Sequence, residues 1–227
     1  MRWPWHKPVR ILAGALPEEQ AEALRRAVIE SPFLASTTLN MRFASTWGFS
    51  AAFRRDGLAK ARRTFPEFVP YLDLVMESDY NAFFLNPLVI FRGGSVDAHI
   101  DCSLRSYTLP LEPPCPGKVS VYYAQVPESL EGGELLLSDT RGKELGRVKP
   151  VPNMLVQFDG ELLHRVTPFE GAAEAVLDRS RISLVCEHYR LEPSLLIRVP
   201  DFHLETTREF GEFFDKALET EGTGNEA

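Results

Sequence analysis

The segment Asp97-Ala98-His99-Ile100-Asp101 places an imidazole and a carboxylate two residues apart. In a strand, residues i and i+2 point to the same side, so His99 and Asp101 can converge on one point. One nitrogen and one oxygen ligand, joined by a second histidine, make the two-histidine, one-carboxylate set that suits Fe(II) and leaves adjacent positions open. An H-x-D alone is a weak signal, because a surface histidine beside an aspartate is common. The second histidine must come from a later strand. The chain has five histidines: His6, His99, His164, His188 and His203. His164 is the candidate. It follows the Asp159-Gly160 turn, opens a β-rich run and lies 63 residues beyond Asp101, room for several strands.

Two further groups could face the same point. In Arg181-Ile182-Ser183, alternation puts Arg181 and Ser183 on one face. A guanidinium inside a β structure needs an anionic partner, and its planar fork suits a carboxylate held by two hydrogen bonds. Ser183 adds a hydroxyl at the same level. In Val119-Ser120-Val121-Tyr122-Tyr123-Ala124-Gln125, the two tyrosines take opposite faces, so one of them meets the interior.

These residues need a β scaffold, and the sequence supplies one from Tyr80 onward. Short β-rich runs at 83–92, 96–100, 104–110, 118–126, 133–138, 144–148, 153–158, 163–167 and 180–191 alternate with Gly, Pro and Asp punctuation. Eight or nine strands in so short a stretch predict a double-sheet jelly roll or a barrel. Before them, Pro17 to Glu30, Ser50 to Arg63 and Pro66 to Glu77 read as helices to be packed on one sheet. After them, His203 to Leu218 reads as a helix and 221–227 as a frayed tail. The fold class is thus mainly β with flanking helices. One domain spans 1–220, with a helical support at 1–79, a jelly-roll core at 80–192 and a helical segment at 193–220.

The ordered set His99-x-Asp101, Tyr122-Tyr123, Glu131-Gly132-Gly133-Glu134-Leu135, His164 and Arg181-x-Ser183 resembles the Fe(II)/2-oxoglutarate-dependent dioxygenases. It is most similar to their prolyl-hydroxylase-like branch, in which a G-G-E strand start sits between the H-x-D and the distal histidine. The match covers about residues 80–192. The resemblance implies a double-stranded β-helix and Fe(II) on His99, Asp101 and His164. It implies the distal carboxylate of 2-oxoglutarate on Arg181, supported by Ser183 and by Tyr123, with Tyr122 the fallback. It also implies O2 as the oxidant, with succinate and CO2 released. Asp101 at the carboxylate position favours hydroxylation over halogenation. Two departures from the collagen-type prolyl 4-hydroxylases weaken a proline substrate. Arg181 stands where they usually carry Lys. His164 and Arg181 are 17 residues apart, which suggests an inserted loop from Glu170 to Arg179.

Composition narrows the rest. The chain has 227 residues, 44% of them hydrophobic and 25% charged, with net charge −7. These are values of a globular domain. The acidic balance argues against nucleic acid as a partner, although residues 54–63 carry five cations against Asp56 alone. No apolar run is long enough for a membrane span. Three cysteines without redox or zinc spacing point to a reducing, cytoplasmic setting. The substrate is a small molecule or a peptide or protein side chain, and the oligomeric state is open. The Pro-rich stretch from Cys102 to Gly117 is a candidate lid, with Arg105 and Tyr107 as its contacts. A non-catalytic β-helix module and a cupin-type enzyme without oxoglutarate are the other readings. The first leaves intact metal and oxoglutarate positions unexplained, and the second calls for more histidine ligands.

Overall fold

The computed structural model describes residues 9–34, 46–108, 114–128, 130–170 and 176–206. In chain order the elements are β1 (Val9–Ala13), α1 (Glu18–Ile29), β2 (Thr46–Gly48), β3 (Ser50–Arg54), α2 (Leu58–Thr64), α3 (Val69–Val75), β4 (Ala82–Ile90), β5 (Val96–His99) and α4 (Arg105–Thr108). There follow β6 (Lys118–Gln125), β7 (Leu135–Ser138), β8 (Glu144–Val148), β9 (Met154–Asp159), β10 (Leu163–Val166), β11 (Arg181–Tyr189), α5 (Pro193–Leu196) and β12 (Phe202–Glu205). Eight strands form one sheet, ordered β1-β9-β6-β11-β4-β3-β12 with β2 also on β4. Four form the other, ordered β5-β10-β7-β8. All pairings of named strands are antiparallel.

Alternation along the central strands explains both faces of the large sheet. On β11, Ile182, Leu184 and Cys186 point outward and meet Leu24 and Val28 of α1 and Tyr71, Leu72 and Val75 of α3. Burying each large apolar side chain of this layer contributes about 1.5–3 kcal/mol. The inward face packs on the small sheet through Val119, Val121, Tyr123, Val156 and Phe158 against Leu135, Leu137 and Val148. This is the expected jelly roll, with helices on one sheet. Pro87 sits in β4 where its partner strand breaks between β2 and β3, so its missing N–H leaves no gap in a continuous ladder.

Several expected elements take another form. The run expected as a strand at 104–110 holds the one-turn helix α4. The helix expected from Ser50 to Arg63 begins as β3, paired with β4 and β12, and turns helical only at Leu58. Tertiary pairing overrides the helical preference of Ser50-Ala51-Ala52 here. Residues 202–205 form an edge strand instead of a helix start, and the rest of the expected C-terminal helix lies outside the described residues. So do His6, the 221–227 tail and part of the loop expected at Glu170 to Arg179. The basic stretch is largely occupied. Arg54 pairs with Asp56 and Asp201, Arg62 with Asp73, Arg55 caps the Glu77 and Tyr80 carbonyls, and Lys60 covers the Phe202 ring. Among the described residues no helix is long and apolar enough to cross a membrane.

Candidate metal centre and its cavity

Antiparallel pairing of β5 with β10 sets His164 directly opposite His99. Asp101 follows two residues after His99, just past the strand end. One ligand atom from each of the three residues lies within 4.8 Å of the others. The Nε2 atoms of His99 and His164 are 3.2 and 3.4 Å from the two Asp101 oxygens. The other ring nitrogens are held away. His99 Nδ1 is 2.7 Å from the Asp97 carbonyl, and His164 Nδ1 is 3.2 Å from that of Leu162. A backbone carbonyl can only accept, so each Nδ1 carries the proton and each Nε2 keeps its lone pair for the centre. Asp101 Oδ2 is buried without a hydrogen bond.

The electrostatics follow from burial and mutual contact. Burial pulls the His164 imidazole down to about 4, against the Asp101 charge. For His99, burial lowers the pKa, but the hydrogen bond and charge of Asp101 outweigh it and the net shift is upward. Asp101 ends below its ordinary value, because the two imidazoles overcome the desolvation that would raise it. Two imidazole Nε2 atoms and one carboxylate, with an unsatisfied carboxylate oxygen, are the donor set that a divalent transition metal requires, and binding it displaces any proton on His99.

These residues border a cavity of about 110 Å³ between the sheets, walled by Phe84, Leu88, Val96, Val121, Val166 and Val185. Arg181 and Ser183 of β11 line it as well. Arg181 is 2% exposed. It donates to the Gly133 carbonyl at 2.9 Å, and its guanidinium lies 4.8 Å from the centre of the Tyr123 ring. Arg181 Nε, Ser183 Oγ and Tyr123 Oη are all buried without a hydrogen-bond partner among the described residues. Burial, opposed by the neighbouring Tyr123 hydroxyl, lowers the Arg181 pKa. Burial raises that of Tyr123, with the Arg181 cation opposing. No carboxylate pairs with Arg181 among the described residues. Three orphaned donors around one buried cation fit an incoming carboxylate.

The structure thus brings His99, Asp101, His164, Arg181, Ser183 and Tyr123 to the interior. Tyr122 is not with them. It lies on the outer face of β6, packed against Tyr71 at 5.8 Å, with its hydroxyl on Asn153 at 3.1 Å. Arg105 lines the cavity, whereas Tyr107 turns away to His203 and Glu205 at 2.8 and 2.9 Å. The Gly132-Gly133 pair holds positive φ of 74° and 65°. It lets the chain close on Pro168, Gly133 N–H donating to that carbonyl at 3.1 Å, while Gly133's own carbonyl receives Arg181. One interior residue was not foreseen. Glu187 is 2% exposed and lines the cavity. Burial, then the nearby Asp101 charge, pushes its carboxyl up to about 8 against donors from Ser103 and Tyr189. Carrying the Arg181-x-Ser183 alternation four residues further would have found it.

No protein-family model matches the sequence, and no curated protein matches it. Solved structures do. A prolyl-4-hydroxylase from Pseudomonas putida superposes with TM-score 0.50 at 19% identity, over 82% of this chain and 94% of that one. A prolyl hydroxylase from Trichoplax adhaerens, in complex with a hypoxia-inducible factor oxygen degradation domain peptide fragment, gives 0.54 at 13%, over 81% and 84%. An oxidoreductase of the 2OG-Fe(II) oxygenase family from Burkholderia pseudomallei gives 0.52 at 10%, over 81% and 85%. At these identities the likeness establishes a shared fold.

Proposed function

We propose that the protein is an Fe(II)- and 2-oxoglutarate-dependent oxygenase of the prolyl-hydroxylase-like branch, working as a single domain. One observation carries the reading: a single cavity holds an imidazole–carboxylate–imidazole cluster and, apart from it, a buried guanidinium with no anion of its own. The fold shared with the Pseudomonas, Trichoplax and Burkholderia proteins supports it.

In this reading His99, Asp101 and His164 hold the iron. The iron, with oxoglutarate and O2, supplies the oxidation of an unactivated substrate C–H, one oxygen atom entering the substrate and the other the succinate that leaves with CO2. The chain's own work is placement. The Asp97 and Leu162 carbonyls fix the tautomer of both imidazoles and aim each Nε2 at the centre. Arg181 receives the far carboxylate of oxoglutarate through charge-assisted hydrogen bonds, and Ser183 and Tyr123 complete it. The apolar walls exclude water, which strengthens each of these contacts.

The substrate group is a C–H of a peptide or protein side chain, an amino acid or a small metabolite. The peptide held by the Trichoplax hydroxylase supports the first of these. Three free cysteines suit the reducing cytoplasm. The reading is tested by following oxoglutarate and succinate by NMR. Iron-dependent succinate formation is expected from the wild-type chain and not from Asp101→Ala. No succinate from protein shown to hold both iron and oxoglutarate would overturn it.

A further inference from the structure

The strand pairing that sets the two imidazoles against each other does not reach Asp101. β5 stops at His99, and Asp101 follows in the irregular segment between β5 and α4. Its carboxylate is nonetheless buried 3.2 and 3.4 Å from the two Nε2 atoms. A ligand set needs its members held to within about 0.5 Å, so this segment requires an anchor of its own.

Glu187 supplies one. β11 is paired with β4 and β6 on its two sides, Glu187 lying opposite Phe84 and Val119, which leaves its backbone little freedom. Alternation turns Arg181, Ser183, Val185 and Glu187 to the cavity. The Glu187 carboxyl meets Ser103, two residues past Asp101 and 84 residues away along the chain. The Ser103 N–H donates to Oε2 at 3.1 Å, the Tyr189 hydroxyl donates to the same oxygen, and Oε1 is 2.5 Å from the Ser103 hydroxyl. Oε2 is thus the accepting oxygen. Near neutral pH the carboxyl, pushed up to about 8, is mostly protonated, and Oε1 gives its proton to the Ser103 hydroxyl. When the carboxyl ionises, that hydroxyl donates instead, so the contact closes in either form. Leu104 packs beside it with Phe84 and Tyr189. Apolar packing holds the segment down but is non-directional, and the hydrogen bonds set its rotation.

We propose that Glu187 is the positioning residue for the Asp101 ligand: by clamping Ser103 it fixes the segment that holds the Asp101 carboxylate against both Nε2 atoms. Resting on the metal-centre reading of His99, Asp101 and His164, this gives β11 both ends of the cavity to place, Arg181 directly and Asp101 through Glu187.

The test is Mn(II) affinity of the full chain, with amide hydrogen exchange of the metal-free protein beside it. Glu187→Leu keeps the volume and removes every hydrogen bond to Ser103. It is expected to weaken Mn(II) binding roughly tenfold or more, the loss typical of an outer partner of a metal ligand. Glutamine reproduces the protonated carboxyl, with one oxygen to accept and an N–H to give, so Glu187→Gln should stay within about threefold of wild type. Ser103→Ala, which keeps its N–H, should fall between the two. In Glu187→Leu the Ser103 amide should exchange faster while those of β10 keep their protection, a local change that general destabilisation would not produce. Wild-type affinity or wild-type exchange at Ser103 in Glu187→Leu would overturn the clamp, as would a loss in Glu187→Gln equal to that in Glu187→Leu. Should Glu187→Leu not fold, Ser103→Ala decides, and wild-type affinity there overturns the clamp. Mn(II) held by wild type, lost in Asp101→Ala and unchanged in Glu187→Leu sinks the clamp alone. No Mn(II) binding by wild type sinks the metal-centre reading and the clamp's role with it.

Discussion

His99 and His164 face each other across the β5–β10 pair with ring centroids 4.3 Å apart, and each keeps its Nδ1 on a backbone carbonyl. Two imidazoles at that distance would repel one another if both were protonated. Burial has already brought His164 down to about 4. Near neutral pH the pair thus presents at least one free Nε2 lone pair beside Asp101, before any metal arrives.

Metal should therefore stabilise the folded chain. Added Fe(II), or Mn(II) as a redox-inert substitute, is expected to raise Tm in a concentration-dependent way, since the triad exists only in the native state. His99→Ala and Asp101→Ala should weaken binding roughly 100-fold or more while circular dichroism stays native. A Tm response equal to wild type in either variant would remove that residue from the centre.

Arg181 governs oxoglutarate. A charge-assisted hydrogen bond contributes about 1.5–3 kcal/mol, so Arg181→Gln should raise the half-saturating oxoglutarate concentration by roughly 10- to 100-fold. Tyr123→Phe and Ser183→Ala should shift it by a smaller factor, and Tyr122→Phe not at all. An unchanged oxoglutarate requirement in Arg181→Gln would make that guanidinium a purely structural group.

His188 gives the metal-free protein a pH limb. It is fully buried under the helices, with Nε2 on Ser120 Oγ at 2.9 Å, and burial, with Lys118 and Arg55, lowers its pKa to about 3. Its folded pKa lies below its unfolded value near 6.5, so between the two the unfolded chain binds the extra proton. The stabilisation is complete above about pH 6.5 and is lost as pH falls toward 3. With each pKa unit near 1.4 kcal/mol, the loss amounts to several kcal/mol. Urea denaturation from pH 7 to 4 should show it, and His188→Phe should make it shallower, with His164, at about 4, supplying part of what remains. An equally steep limb in His188→Phe would assign the acid sensitivity elsewhere.

The Gly132-Gly133 turn is a packing requirement. A Cβ on Gly132 would collide with the Pro168 carbonyl oxygen, whereas at Gly142, also at positive φ, it would meet open space. Both alanine variants carry the left-handed penalty of about 1 kcal/mol. Gly132→Ala should lose about 2 kcal/mol more, as the strand ends over Arg181 must part. Equal losses in urea denaturation would mean that the Pro168 segment yields freely.

The jelly-roll strands and the metal set were legible because each depends on period two or on rare residue types. His99-x-Asp101 and Arg181-x-Ser183 mark faces directly, and β4, β6, β9 and β11 are long or well punctuated. β3 and β12 were not legible, since β12 is a short edge strand, β3 a short strand between it and β4, and each takes its strand form from its partners. Choosing between Tyr122 and Tyr123 required the register of β6, which Val119 and Val121 fix only once the second sheet is known to lie on their side. Glu187 escaped because a lone acid near a strand end reads as solvent-facing until the barrel closes over it.

The most direct measurement is an anaerobic titration of the Fe(II)-loaded protein with 2-oxoglutarate, followed by visible absorption. A keto acid chelating iron through its carboxylate and keto oxygen gives a charge-transfer band. The expected result is a saturable band in the wild type that needs far more oxoglutarate in Arg181→Gln. Iron demonstrably bound with no band at any oxoglutarate concentration would contradict the oxygenase assignment.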